Sequence, residues 1–200
     1  MLAIRWRWIF LLLIAVGAWH SWHSRSVKVP NGILIAPKDP IQTKNDGNKI
    51  FQHGDYKLQV LANFDIEARV LSTESYRLGR DAELVPVDVA LGWGAMSDSA
   101  VLAELSISQS GRFYYYRWQN PPPIPPEDIA RNSANMHLIP TNSVIEQKIK
   151  NLRVGQVVHI VGQLVEAKTA DGWHWRSSLT RDDTGAGACE LVRVESITIR

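Results

Sequence analysis

A single cysteine, Cys189, stands in 200 residues. No intrachain disulfide can form, and a Cys-rich zinc site is excluded with it. In an oxidising compartment a lone thiol is most often buried. A surplus of either charge is also missing. Lys and Arg number 22 against 20 Asp and Glu, interspersed along the chain, so the basic stripe of a dedicated nucleic-acid binder is absent. His53, His137, His159 and His174 are scattered without a helical pair, and His20 and His23 sit beside an apolar segment. No metal spacing results, and no cofactor is expected. There is no Gly-x-Ser-x-Gly elbow, no phosphate loop, no dinucleotide fingerprint and no internal repeat. The chain therefore names no reaction.

What it does carry is a short greasy start. Trp8-Ile-Phe-Leu-Leu-Leu-Ile-Ala-Val-Gly-Ala-Trp19 is uncharged and follows Arg5 and Arg7, the order of a signal sequence or signal anchor. As a helix this run spans only about 18 Å against about 30 Å of hydrocarbon. Flanking residues, snorkelling of Arg7 and local thinning narrow the gap. Val16 and Ala18 suit cleavage before Trp19. Trp6, Trp8, Trp19 and Trp22 suit interfacial belts on a helix that stays, and no polar stripe marks a soluble helix. Residues 1–23 are read as a membrane anchor or signal segment, 24–50 as a linker rich in Ser, Lys, Pro, Asn and Gly, and 51–200 as one β-rich envelope domain. Arg5 and Arg7 favour an N-terminus inside, which puts the domain in the periplasm on a single pass through the inner membrane.

The domain shows mostly period-two patterning, the mark of half-buried strands. Such strands are expected over Tyr56–Ser72 and Glu83–Leu91; Phe113–Trp118 is a strand on aromatic propensity, Val157–Val165 an apolar strand, and Trp173–Leu179 and Cys189–Ile199 follow. Pro86 suggests an edge or bulged strand, and Ile33–Ile35 an extended piece packed on the domain. Ser97 or Asp98 caps a helix through Leu105. Pro126 opens a single turn to Arg131, and Ser143-Val-Ile-Glu146 fits a capping box for a helix to about Leu152. Asp171-Gly172 is a hairpin turn. The class is α+β, strand-rich. Gly155 to Val165, with Gly162 inside the strand, is similar in pattern to the strands of small OB-type barrels, which suggests such a barrel in the C-terminal half. A likeness of pattern carries no function.

Three polar constellations are candidates. In the first, Trp173, Trp175 and Ser177 share one strand face and His174, Arg176 and Ser178 the other. Arg181, Asp182, Asp183 and Thr184 follow, with Gly185 and Gly187 able to form an anion nest. Arg176 and Arg181 would grip an anionic group there, while Asp182 and Asp183 form a weakly specific cation pair. A loop held by Arg–Asp pairs and Asx-turns explains the same residues. In the second, Asn135-Met-His137-Leu-Ile-Pro140, His137 follows a polar loop and is a base, a contact or a satisfied structural histidine. In the third, Leu91-Gly-Trp93-Gly-Ala-Met-Ser-Asp98, Trp93 is a core plug or an aromatic platform, and Asp98 is a helix cap. Trp118 is a further aromatic candidate.

Together, Leu91-Gly-Trp-Gly-x-Met-Ser-Asp98, Asn135-Met-His-Leu-Ile-Pro140 and Trp175-Arg-Ser-Ser-Leu-Thr-Arg-Asp-Asp-Thr-Gly-x-Gly-x-Cys-Glu190 resemble an uncharacterised group of bacterial membrane-anchored proteins across most of the domain. The resemblance implies no activity and no catalytic residues. The leading expectation is a non-catalytic envelope module, held at the membrane by its N-terminal helix. It would bind an envelope partner or anionic ligand through His137, Arg176, Arg181, Asp182, Asp183 and Trp93. The alternative is a hydrolase or nuclease-like enzyme with His137 as base, Asp182 or Asp183 on a cation and Arg181 steadying negative charge. A scaffold for membrane-protein assembly would instead show an apolar patch near the tether.

Overall fold

The computed structural model describes residues 2–23, 25–180 and 189–200. A helix α1 (Leu2–His23) precedes strands β1 (Ile41–Lys44), β2 (Ile50–His53) and the 20-residue β3 (Tyr56–Ser75). Then come a short helix α2 (Arg80–Leu84), strand β4 (Val87–Gly92) and a 3-10 turn over Gly94–Ser97. Helix α3 (Ser99–Ala103) leads into a hairpin of β5 (Leu105–Ser110) and β6 (Phe113–Trp118). Helix α4 (Pro126–Arg131), strand β7 (Ser133–Pro140) and helix α5 (Ser143–Lys150) follow. The chain ends with β8 (Val157–Lys168), β9 (His174–Arg176) and β10 (Glu190–Ile199).

The architecture is α+β and strand-rich, built on one mixed sheet that curls into a ring. β3 pairs with β4, β4 with β7, β7 with β10, β10 with β8, and β8 returns to β3. Only the β7–β10 contact is parallel. Because side chains alternate along each strand, one set of apolar residues fills the ring: Phe64 and Ile66 from β3, Val89 and Leu91 from β4, Met136 and Leu138 from β7, Ile160 from β8 and Val192 from β10. Register shifts after Val60 and Val70 in β3, and after Val194 in β10, mark bulges. Bulges add the local twist that a curling sheet requires. Gly162 lies where β8 meets β10 so closely that a Cβ would collide with the Arg193 carbonyl. Helix α5 closes one end with Ile145 and Ile149. The side chain of Asn142, one residue ahead of the expected Ser143, caps it at 3.0 Å from the Ile145 amide.

The structure redraws several expectations. The ring is not confined to the C-terminal half, since β3 and β4 supply two of its five strands. Pro86 precedes β4 and removes no ladder bond, so that strand lies inside the ring, buried throughout. The helix capped by Asp98 ends at Ala103, and Leu105 starts a strand that pairs with the aromatic β6. Asn135–Pro140, which the sequence reading gave no strand, is buried within β7. The segment read as linker is bonded along the domain. The Val27 amide donates to the Val154 carbonyl, the Gly32 amide to Asp98 and the Gly94 amide to the Ala36 carbonyl. It pairs through β1 and β2, not through Ile33–Ile35. Among the described residues no helix is long and apolar enough to cross a membrane. Within α1, the side chains from Trp6 to Trp19 are exposed.

Candidate functional site

The outward faces of β4 and β7 would lie bare without the β5–β6 hairpin. Ala90 and Ile129 pack beneath its inner residues Ile107, Tyr114, Tyr116 and Trp118. Burial holds the Tyr114 phenol up at about 12. The hairpin turn is Gly111-Arg112, with φ of 59° and 71°. Two central residues at positive φ fit the twist of a two-residue hairpin. Arginine pays a strain there that glycine does not, and a set of contacts holds it in place. Its guanidinium donates to Asp88 at 2.8 Å and to the Val85 carbonyl at 3.0 Å. It also lies over the Tyr76 ring at 3.6 Å. Its amide donates to the Tyr76 hydroxyl, and its carbonyl accepts from Asn135.

Asp88 is the hub. It is fully buried, and one carboxylate oxygen receives both Arg112 and His137 Nδ1, each at 2.8 Å. The other oxygen has no hydrogen-bond partner among the described residues. A carboxylate only accepts, so the proton of the His137 ring resides on Nδ1. That leaves Nε2 for the space beyond. The ring packs on Trp175 at 4.5 Å between centroids.

That space is a cleft of about 440 Å³ lined by Arg112, His137, His174, Trp175, Arg176 and Cys189, with Asp81 and Phe113 at its side. β7 places His137 and β9 places His174, Trp175 and Arg176. Cys189 directly precedes β10, which runs parallel to β7 with Leu191 opposite His137. Arg176 is not an unpaired cation: it donates to Glu166 at 2.7 Å, and Lys168 approaches the same oxygen at 3.2 Å. Burial pushes the Glu166 carboxyl up, but Lys168 and Arg176 together bring it below its usual range.

Of the residues singled out from sequence, His137 and Arg176 meet in this cleft. Trp93 does not; at 1 % exposed it fills the ring's core, a plug rather than a platform. Trp118 likewise packs under the hairpin. Asp98 accepts from the Ala100 amide at 2.9 Å, a helix cap. Arg181, Asp182 and Asp183 lie outside the described residues. Among the described residues no group of three His, Cys, Asp or Glu is placed to hold a metal. Sequence reasoning missed Asp88, Arg112 and Asp81. Asp88 did leave a signal: an acid between Val87 and Val89 in a strand whose alternate residues are apolar. No protein-family model, curated protein or solved structure matches this chain.

Proposed function

We propose that this protein is a membrane-tethered, envelope-facing binding module of OB-like build, non-catalytic, whose cleft at His137 receives an anionic group. Five strands in the order β3–β4–β7–β10–β8, with the crossover helix α5 between β7 and β8, support the OB-like assignment. Such barrels bind ligands on one strand face and through adjoining loops. Here the hairpin fills the face, so the loop side at β9 is what remains. The observation that carries the reading is the cleft itself. Arg112, Arg176, His137 and His174 converge there against one lining acid, Asp81, while Asp88 and Glu166 stand behind the arginines and fix them. An incoming carboxylate shares the arginine donors instead of meeting bare charge, and His137 donates to it only with a second proton on Nε2, which favours orientation over strength.

The tether is α1, whose apolar side chains from Trp6 to Trp19 stand exposed. Its run is short for a full crossing, so the anchor depends on Arg7 snorkelling and on local thinning of the bilayer. A reporter fused after Arg200 and active only in the cytosol would sink the periplasmic placement. For the cleft, the test is calorimetric titration of the full chain in detergent with gluconate, using glucose as the neutral control. Saturable gluconate binding that is lost in His137→Gln and Arg176→Ala supports the reading; equal behaviour of gluconate and glucose removes it.

A second reading has its own observation, the Asp88-oriented His137. A histidine held by a carboxylate is the arrangement of a general base. An enzyme of this kind would show an activity whose pH profile shifts in Asp88→Asn.

A further inference from the structure

Beside the cleft at His137 lies the Thr169–Gly172 turn, and the cleft shares lining residues with a neighbouring hollow there. Trp173 and His174 wall both, and this second hollow measures about 330 Å³. That hollow shares Lys168 and Thr169 with a third of about 810 Å³, which lies between Tyr56 and Arg80. An aromatic ring stands at each stage. Tyr56 meets Trp173 edge-on at 5.6 Å, Trp173 meets Trp175 edge-on at 6.4 Å, and Trp175 packs on His137.

The charges lining the largest compartment balance: Lys57, Arg80 and Lys168 face Asp55, Glu83 and Asp171. Arg80 and Asp171 are paired at 2.7 Å with about half of each side chain exposed, so both present donors and acceptors to solvent in a fixed relation. A polyanion needs cations without acids, as a phosphate backbone does, and an apolar chain needs a wall free of charge. A hydroxyl both donates and accepts. A wall of matched donors and acceptors with aromatic rings at intervals therefore suits a polyhydroxylated chain.

We infer that the three compartments hold one oligosaccharide, a run of neutral sugars ended by a single acidic sugar whose carboxylate lies at His137 and Arg176. The acidic end rests on the anion reading of the cleft; the neutral run rests on the groove alone. The test is calorimetry on the full chain with a series that keeps one carboxylate and grows in length: gluconate, cellobionate and cellotetraonate, with cellotetraose as the neutral control. Cellotetraonate binds on the order of tenfold tighter than gluconate. The exposed Arg80→Ala, which lies in the largest compartment and outside the His137 cleft, removes that gain and leaves gluconate affinity unchanged. Gluconate binding with no gain in length overturns the oligosaccharide and leaves the anion cleft standing. Cellotetraose binding without gluconate binding overturns the acidic end. A tetra-alanine peptide that matches cellotetraonate overturns the sugar assignment.

Discussion

Two Arg–Asp pairs of nearly equal length sit in opposite surroundings. Arg112 and Asp88 are 2.8 Å apart, with the carboxylate fully buried and the guanidinium mostly so. Arg80 and Asp171 are 2.7 Å apart, each about half exposed. In water the second pair exchanges one set of good partners for another and adds little. The first has already lost its water, so each charge depends on the other and on His137, Val85 and Tyr76 for everything. Distance does not distinguish the two pairs, but their surroundings do. The buried pair fixes the hairpin and the histidine, while the exposed pair contributes only its own local geometry to the surface.

The sharpest way to break this comparison is to remove one buried charge. Asp88→Ala leaves Arg112 without its counter-charge and His137 without its orienting acceptor, and should cost about 3–5 kcal/mol in urea unfolding. Replacing Asp88 by Leu and Arg112 by Met together should cost less than Asp88→Ala alone, because no charge is then stranded. If the double replacement is the worse of the two, the pair is stabilising in its own right. Next in size is Gly162→Ala, which drives a methyl into the Arg193 carbonyl across the ring's wall. Destabilisation of about 1–3 kcal/mol is expected, and an unchanged midpoint would show that the β8–β10 contact is looser than described. Smallest is the exposed pair. Arg80→Ala should leave the unfolding midpoint where it is, yet move a titration. Hydrogen bonds from Thr169, Arg80 and the Trp173 amide hold the Asp171 carboxyl down at about 2. As a depressed acid, its contribution is present above the ordinary carboxylate value and fades as pH falls through about 2. Carboxyl NMR of Asp171 should give that low midpoint, rising in Arg80→Ala; an ordinary midpoint in the parent chain would dissolve the pair.

Much of the strand framework was readable because period-two alternation, aromatic propensity and short apolar runs are all local signals. Tyr56 to Ser72, Phe113 to Trp118 and Val157 to Val165 all lie in strands, and the Asp171-Gly172 hairpin forms. The aromatic β6 was visible, but its partner β5 was not. Leu105 and Ile107 alternate with serines, a weak pattern that a preceding helix cap overrode. His137 was picked out as a candidate placed after a polar loop, but no strand was read there, because Asn135 and Pro140 carry turn propensity that pairing with β4 and β10 outweighs. The partner that gives His137 its orientation lies 49 residues away in sequence. No local pattern joins Asp88 to Arg112, a residue whose position at a hairpin tip is set only when the hairpin folds over β4.

The length of β3 has a consequence for the order of events during synthesis. This one strand bonds to β1, β2, β4 and β8, and its Phe64 sits opposite Gly162, almost at the far end of the chain. Contacts so distant in sequence form slowly and late. A ribosome must release nearly the whole polypeptide before β8 and β10 can join the ring. Until then the edge of β3 that faces β8 stays open, which makes it the segment most in need of a chaperone.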